Sequence, residues 1–276
     1  MASDLSMQSV NPLKAKLSLG QAVLGVWSII PSPVVIELFA LGGIDFTILD
    51  MEHGIFDVGA LDSCVRACEA AGAVPLVRIP GLNASAAQWA LDLGSYGIVV
   101  PQVSDASEAQ AVVKMAKYAP IGNRGYNPFT RAANYANPPD NRSGKLNNDF
   151  SLTCVIIESE SALADMERIC ATPGLDVIYM GIYDLAVALG CEGDTKHPRV
   201  VKIVEDAIVQ IRAAGKAAGM MVRSQQDIAK ALALGANFLV YSVDTFLIRE
   251  AVSHAVSSFK TEQQTFANSI FAKVTS

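Results

Sequence analysis

Three ionisable side chains, Asp50, Glu52 and His53, lie within four positions at the end of an apolar segment. The preceding residues from Ile44 to Leu49 are typical of a buried strand, and Gly54 allows the chain to turn after it. A single acidic residue here would be interpreted as the cap of the following helix. Because the group also contains one of only three histidines in the chain, it indicates a chemical site.

Two further acidic residues follow later apolar segments. Glu158 comes directly after the segment Cys154–Ile157, and Asp184 follows the next strand at the start of a helix. Helix capping alone would explain Asp184. However, consecutive strands can bring the two carboxylates together, and adjacent carboxylates repel unless a cation or a proton separates them. With no lysine nearby in the sequence, the pair predicts a hard divalent cation, and Arg78 at the end of another strand would face it beside His53.

These residues lie at the ends of a repeated unit that consists of an apolar strand, a turn, a helix and a glycine. The predicted strands are Val23–Ser28, Asp45–Asp50, Val74–Arg78, Gly97–Val100, Leu152–Glu158, Asp176–Gly181, Ala218–Val222 and Asn237–Tyr241. Eight such units predict an α/β fold, a single-domain (β/α)8 TIM barrel with its site at the C-terminal ends of the strands. A doubly wound open sheet is the alternative, but no Gly-x-Gly-x-x-Gly follows the first strand.

Some segments stand outside this repeat. We expect residues 1–20 to form an N-terminal arm or a short helix, residues 21–260 the barrel domain and residues 261–276 a C-terminal tail. Residues 120–149 are rich in Pro, Gly and Asn and interrupt the repeat, as long functional or flexible loops do. The last barrel helix is predicted from Asp244 to about Phe259.

Composition limits the classes of function. The chain has 276 residues, of which 51% are hydrophobic and 17% charged, with a net charge of −6 and no basic run, so nucleic acid is not expected as a partner. No apolar stretch reaches membrane-spanning length and no signal peptide is evident, so we expect a cytoplasmic protein without a membrane partner. Five cysteines without a compact framework predict reduced thiols.

Several motifs, in the same order and at the corresponding strand ends, resemble those of the HpcH/HpaI aldolase family. These are class II, metal-dependent pyruvate aldolases within the phosphoenolpyruvate/pyruvate TIM-barrel superfamily. The resemblance covers about residues 20–258. The matching motifs are Gly25-Val26-Trp27-Ser28, Asp50-Met51-Glu52-His53, Val77-Arg78-Ile79-Pro80, Val99-Val100-Pro101-Gln102-Val103, Gly122-Asn123-Arg124-Gly125, Arg131-Ala132 with Tyr135, Ile157-Glu158 and Gly181-Ile182-Tyr183-Asp184-Leu185.

The resemblance implies a role for each matched residue. Glu158 and Asp184 match the two protein ligands of a divalent metal ion, for which Mg²⁺ or Mn²⁺ is expected and Co²⁺ would be tolerated. Arg78 matches the arginine that contacts the keto oxygen and stabilises the enolate. His53 matches the proton-transfer histidine, with Asp50 holding its ring. The residues implied to contact the substrate are Trp27, Gln102, Gly181, Ile182, Tyr183 and Arg131.

The implied reaction is the reversible cleavage of a 4-hydroxy-2-oxo acid to pyruvate and an aldehyde through a metal-stabilised enolate. Two departures from the family pattern leave alternatives open: Ile156 replaces a glutamine and Ile182 replaces a proline. Because strand residues two apart share a face, Ile156 points into the site beside Glu158. Enolate condensation with oxaloacetate, as in citrate synthase-like members, or oxaloacetate decarboxylation therefore remain possible reactions. A non-catalytic 2-oxo acid-binding scaffold is disfavoured because the predicted catalytic and metal-binding side chains are all present.

The resemblance also implies a homo-oligomer, a hexamer built as a trimer of dimers in which the last barrel helix is exchanged. The helix from Asp244 to Phe259 carries an apolar stripe of helical period, which its own barrel or a neighbour's could bury. The loop from Arg124 to Tyr135 contains aromatic residues and arginines, which are common at interfaces, and could cover the site of a neighbouring subunit.

Overall fold

The computed structural model describes residues 10–136 and 144–274. The first nine residues of the expected arm, residues 137–143 of the long loop and the last two residues of the tail lie outside the described residues. The strands are β1 Val23–Ser28, β2 Phe46–Asp50, β3 Val74–Arg78, β4 Gly97–Val100, β5 Leu152–Ile157, β6 Val177–Met180, β7 Ala217–Val222 and β8 Phe238–Val243. Each strand pairs in parallel with the next, and β8 pairs with β1. This closed sheet confirms the predicted (β/α)8 TIM barrel.

Helices surround the sheet and follow every strand. They are α1 Pro12–Ser18, α2 Pro33–Leu41, α3 Val58–Ala70, α4 Ala84–Asp92, α5 Ala106–Ala116, α6 Gly144–Phe150, α7 Glu160–Ala164, α8 Met166–Cys170, α9 Ile182–Ala188, α10 Pro198–Ala213, α11 Gln225–Ala233 and α12 Asp244–Val274. A short 3-10 segment, Arg131–Ala136, lies in the long connection after α5. None of the described helices combines the length and the apolar composition needed to cross a membrane.

The alternation of side chains along the strands connects the barrel core to its C-terminal rim. On β2, the buried side chains of Phe46 and Ile48 share a face with Asp50, and on β3 Leu76 shares that face with Arg78. The apolar members of each set fill the barrel interior, and the final member is polar. The alternation that places apolar side chains in the barrel core therefore also directs Asp50 and Arg78 into the space above the core.

The N-terminal end of the barrel is closed by α1. Leu13 is buried with the side chains of the barrel interior. Asn11 caps the helix and donates hydrogen bonds of 2.9 Å to the carbonyl oxygens of Tyr96 and Phe150, which precede β4 and β5. These contacts dock the described part of the segment predicted as an arm, so the open end of the barrel is the C-terminal one.

Two segments are more helical than the sequence predicts. The sequence predicts that the last helix ends near Phe259 and that a tail follows from residue 261, but α12 continues to Val274 because no Gly or Pro interrupts the sequence after Asp244. Within the long connection, α6 is an unpredicted helix. Asn148 anchors it by exchanging two hydrogen bonds with the backbone of Tyr118, so part of this connection is tied to the barrel.

Asp244 fixes the first loop at the C-terminal rim. The Asp244 side chain is fully buried, and its Oδ2 accepts hydrogen bonds from Ser28 Oγ at 2.8 Å and from the backbone of Ile29 and Ile30 at 2.9 and 2.8 Å. A bulge in β8, where Ser242 has a φ of 60°, turns the strand into α12 at this point. The acid belongs to the scaffold of the rim, where it holds the β1–α2 loop in place.

Candidate active site

A cavity of about 400 Å³ opens at the C-terminal ends of the strands. Nine of the eleven residues predicted for the site line it, namely Trp27, Asp50, His53, Arg78, Glu158, Gly181, Ile182, Tyr183 and Asp184. They come from β1, β2, β3, β5 and β6 and the loops that follow. The structure therefore brings together side chains that are up to 157 positions apart in sequence, from Trp27 to Asp184.

The centre of the cavity is a buried ion pair between Arg78 and Asp50. Arg78 Nε lies 2.8 Å from Asp50 Oδ1, and Nη2 contacts Oδ2 in a bidentate arrangement. The guanidinium carbon lies 4.5 Å from the centre of the Trp27 ring, and Nη1 lies 3.2 Å from Glu52 Oε2. Burial alone would lower the pKa of Arg78, but Asp50, Glu52 and Glu158 raise it above its ordinary value. Arg78 is therefore a fixed positive charge.

Asp50 contacts both Arg78 and the turn that carries His53. Its Oδ1 accepts hydrogen bonds from the backbone N–H groups of Glu52 at 2.9 Å and His53 at 3.2 Å. No described hydrogen bond joins Asp50 to the His53 ring, because the carboxylate is occupied by Arg78 and the turn. Asp50 thus orients the arginine and the turn that carries His53, and the exposed imidazole faces the cavity.

A chain of polar contacts leads from Arg78 to Glu158. Glu52 Oε1 accepts a hydrogen bond of 3.0 Å from Gln102 Nε2, and the Gln102 backbone N–H donates to Glu158 Oε1 at 2.7 Å. Gln102 has a φ of 59°, a left-handed conformation that is uncommon for residues other than Gly and is concentrated at functional sites. This backbone conformation directs the N–H at the carboxylate.

The carboxylates of Glu158 and Asp184 have the chemistry of a divalent cation site. The pKa of Glu158 is raised to about 7, chiefly by burial; the Gln102 N–H and Arg78 lower it, and the Asp184 and Glu52 carboxylates raise it. The charged form is therefore poorly solvated, and a cation would stabilise it. No group of three or more His, Cys, Asp or Glu side chains suited to a metal occurs in residues 10–136 and 144–274. Two carboxylates fit Mg²⁺ or Mn²⁺, ions that keep several ligand positions for water and substrate.

Gly181 is required by the position of the Glu158 side chain. A Cβ atom added at Gly181 would lie 2.5 Å from Glu158 Oε2, 2.9 Å from Glu158 Cβ and 2.9 Å from Ile156 Cγ2. The absent side chain therefore lets the carboxylate lie against the backbone at the start of α9, one turn from Asp184.

Sequence reasoning missed five residues of the cavity wall, namely Ile29, Tyr179, Met180, Met221 and Val243. The Tyr179 hydroxyl accepts a hydrogen bond of 3.3 Å from Trp27 Nε1, and the two rings meet edge to face. Burial raises the pKa of Tyr179, so its hydroxyl stays neutral. Counting back two positions from Gly181 identifies Tyr179, since strand residues two apart share a face.

The remaining two predicted residues lie elsewhere. Gln102 lines a second, adjacent cavity. Arg131 is paired with Glu69 near the end of α3 and donates a hydrogen bond of 3.3 Å to the Leu93 carbonyl after α4. These positions belong to the N-terminal end of the barrel, because the barrel helices run opposite to the strands. The structure therefore does not bring Arg131 to the cavity of its own chain.

Replacing Gly181 with Ala should displace the Glu158 carboxylate and weaken Mn²⁺ binding by roughly tenfold or more, comparable with the loss of a supporting contact at a metal site. Titration of the purified protein with Mn²⁺, followed by electron paramagnetic resonance, measures the effect. Gly59→Ala in α3, where the nearest side-chain atom is 3.4 Å away, is the control and should leave binding unchanged. Wild-type affinity in Gly181→Ala would show that the position of Glu158 does not matter.

Comparisons with known proteins identify the family. The family model described as HpcH/HpaI aldolase/citrate lyase matches residues 23–251. The 2-keto-3-deoxy-L-rhamnonate aldolase of Klebsiella pneumoniae subsp. pneumoniae is 33% identical over 253 residues, which cover 91% of this chain and 94% of that protein. The crystal structure of the citrate synthase SbnG is 30% identical, with a TM-score of 0.83, and the match covers 93% of this chain and 100% of that one.

A second solved structure, an HpcH/HpaI aldolase from Desulfitobacterium hafniense, is 28% identical with a TM-score of 0.84, over 90% of this chain and 96% of that one. The matches extend over nearly the whole barrel, including every strand that supplies a side chain to the cavity. The chain belongs to the HpcH/HpaI aldolase/citrate lyase family and is a carbon–carbon lyase.

Proposed function

We propose that this enzyme reversibly cleaves a 4-hydroxy-2-oxo acid into pyruvate and an aldehyde. The observation that carries the proposal is the position of Arg78, a fixed cation held by Asp50, in one cavity with the carboxylates of Glu158 and Asp184 and the imidazole of His53. In such a site, Arg78 can stabilise negative charge that develops on an oxo acid, and His53 can exchange a proton with the oxo acid. The related 2-keto-3-deoxy-L-rhamnonate aldolases act on a compound of this class.

The side chains divide the reaction between them. When bound by Glu158 and Asp184, a divalent cation would polarise the 2-oxo group as a Lewis acid. His53, directly or through a water, removes the proton of the 4-hydroxyl group as the C3–C4 bond breaks and the aldehyde forms. The electron pair of that bond passes to the pyruvate enolate, whose oxygen Arg78 stabilises. Return of a proton to C3 completes pyruvate, and the reverse sequence forms the C–C bond.

The apolar wall of the cavity suits the pyruvate part of the substrate. Ile156 is 2% exposed and lies on the cavity wall with Tyr179 and Met221. These side chains offer no general base and limit the water that reaches the enolate carbon, which favours transfer of that carbon to an aldehyde over its protonation by solvent.

A second reaction on the same site has a specific observation in its favour. Ile156 occupies the place of the amide that the family pattern has beside the metal ligand, and this chain is 30% identical to the citrate synthase SbnG. Condensation of the enolate with oxaloacetate, or decarboxylation of oxaloacetate, would use the same Arg78 and carboxylates. Product analysis with pyruvate and a panel of aldehydes and keto acids separates these reactions.

The metal requirement gives the first test. Treatment with EDTA should abolish cleavage, and Mg²⁺ or Mn²⁺ should restore it. Glu158→Gln and Asp184→Asn should each weaken Mn²⁺ binding by about 100-fold or more, because each removes a direct ligand from a site with only two. Calorimetric titration measures the affinity. Glu160→Gln, an exposed acid two residues after Glu158, is the matched control. Full activity in EDTA would refute the metal role.

Arg78 gives the second test. Arg78→Ala should lower kcat about 10²–10³-fold, as the loss of an oxyanion donor does. That variant also leaves the buried Asp50 unpaired, which costs about 3–5 kcal/mol in the free energy of unfolding. Arg78→Lys keeps the charge and separates the two effects: its urea unfolding should stay closer to wild type while kcat remains reduced. Arg66→Lys on the surface of α3 is the control, and wild-type turnover in Arg78→Lys would contradict the bidentate role.

We also propose a homo-oligomer, with a hexamer as the expected state. Apolar side chains of α12 are exposed in the single chain, among them Val252, Val256 and Phe259 at 58%, 45% and 65%, and Leu38 and Leu41 of α2 are exposed beside the same barrel. Monomers rarely expose stripes of this kind. The paired Arg131 at the other end of the barrel can reach an active site only in a neighbouring subunit.

The five cysteines are all free thiols, which supports the expected cytoplasmic environment.

Sedimentation velocity tests the assembly. The wild-type protein should sediment as a hexamer, and Phe259→Asp should shift it to smaller species, because a charge replaces an apolar contact. Ser257→Asp, on the polar face of α12, is the matched control and should leave the hexamer intact. A stable monomer that retains full activity at nanomolar concentration would rule out a site shared between subunits.

A further inference from the structure

A second cavity, of about 330 Å³, adjoins the first at the carboxylate pair. It shares His53, Glu158 and Asp184 with the first cavity and adds three serines, Ser104, Ser159 and Ser161. We infer that this cavity holds the aldehyde acceptor and that it selects neutral, hydroxylated aldehydes over anionic ones. The inference rests on the proposed function, because it assigns the partner of the enolate.

The chemistry of the two cavities differs. The first has an apolar wall that includes Ile156, Tyr179 and Met221, whereas every residue that lines the second is polar. The two cavities meet at the side chains that would bind the cation and move the proton. An oxo acid in the first cavity and a carbonyl compound in the second would therefore face each other across the reacting centre.

Charge excludes anionic acceptors from the second cavity. Its lining includes the carboxylates of Glu52, Glu158 and Asp184 and no Lys or Arg among the described residues. The guanidinium of Arg78, which lines the first cavity, is already paired with Asp50 and lies against Glu52. A divalent cation held by Glu158 and Asp184 would compensate those two carboxylates, so no uncompensated positive charge would remain. A second anionic group would therefore lose its hydration without gaining a cationic partner, which is unfavourable. Hydroxyl groups of a neutral acceptor can instead exchange hydrogen bonds with the serines.

Ser161 is the serine best placed to contact an acceptor. Ser104 Oγ donates to Glu108 Oε2 at 2.7 Å, and Ser159 Oγ accepts the Ala162 N–H at 3.2 Å as the cap of α7. The only described hydrogen bond of Ser161 Oγ is to Ser159 Oγ at 3.0 Å, and Ser161 is exposed. Its hydroxyl therefore retains hydrogen-bonding capacity toward the cavity.

Cations near the site mouth line a different space. Lys196 and Arg223 border a cavity of about 180 Å³ between α10 and α11, and Arg223 lies over the Phe246 ring at 5.6 Å. That cavity contains neither the carboxylate pair nor His53. An anionic group bound there would not place its carbonyl beside the enolate in the arrangement described above.

The experiment first measures enolate formation without an acceptor. Wild-type protein with Mg²⁺ in D₂O should exchange the methyl protons of pyruvate, as followed by nuclear magnetic resonance. Aldol addition to pyruvate is then measured with glycolaldehyde, glyceraldehyde and lactaldehyde as neutral acceptors, and with glyoxylate and succinic semialdehyde as anionic ones. We expect kcat/KM for the neutral acceptors to exceed that for the anionic ones by at least about tenfold.

Variants assign the selectivity to this cavity. Ser161→Ala should lower kcat/KM for hydroxylated acceptors severalfold, and Ser161→Lys should raise the ratio of anionic to neutral acceptors about tenfold by supplying the missing cation. Ser63→Lys on the exposed face of α3 should change neither the ratio nor the exchange rate.

The outcomes separate the inference from the proposed function. Absence of methyl exchange in the wild type with Mg²⁺ and with Mn²⁺ would overturn the proposed function and the inference with it. Normal exchange together with a preference for anionic acceptors would overturn the inference alone, as would a neutral preference that neither Ser161 variant alters. A preference for anionic acceptors that Arg223→Ala removes would place the acceptor in the α10–α11 cavity.

Discussion

The pairing of Arg78 with Asp50 is the constraint on which the site depends. A guanidinium and a carboxylate removed from water need each other, because the loss of either partner leaves an uncompensated buried charge. Asp50 is 1% exposed, and its remaining hydrogen bonds hold the turn that carries His53. Trp27 covers the guanidinium on its other side. One ion pair thus fixes the orientation of the cation, the position of the histidine and the depth of the cavity.

The charge around that pair explains why a metal ion fits. Arg78 neutralises one of the carboxylates at the rim, but Glu52, Glu158 and Asp184 also face the same space. The pKa of Glu158 is raised to about 7, chiefly because the carboxylate is buried, and the Asp184 and Glu52 carboxylates also raise it. A divalent cation would compensate these carboxylates and leave Arg78 available to a developing enolate. Asp184 lies one helical turn after Gly181, and Gly181 has no side chain. The carboxylates of Glu158 and Asp184 can therefore approach such an ion together.

The sequence predicts the barrel and most of the side chains that line the cavity, because both depend on the same local signals. Apolar strands of regular length predict the sheet, and a polar residue at the end of such a strand, such as Arg78, predicts the rim. Arg131 shows the limit. Its motif indicated a substrate contact, but it lies in a connection that follows a helix, and such connections return to the N-terminal end of the barrel. The length of α12 depends on the absence of Gly and Pro after Asp244, and the pairing of Asp50 with Arg78 depends on a tertiary contact. The periodicity of strands and helices encodes neither of them.

Different parts of the C-terminal rim form the two cavities, one with an apolar wall and one with a polar wall. The ends of β1, β5, β6, β7 and β8 supply the apolar wall of the first cavity, whereas the loops after β2, β4 and β5 supply the polar wall of the second. The carboxylate pair lies where the two meet, since Glu158 follows β5 and Asp184 follows β6. Ser104, Ser159 and Ser161 in the loops after β4 and β5 have no described hydrogen bond to Arg78, Asp50 or Trp27, so these serines can change without disturbing the ion pair. The fold can therefore keep the proposed enolate chemistry while the partner of the enolate varies, which is consistent with aldolases and a citrate synthase both resembling this chain.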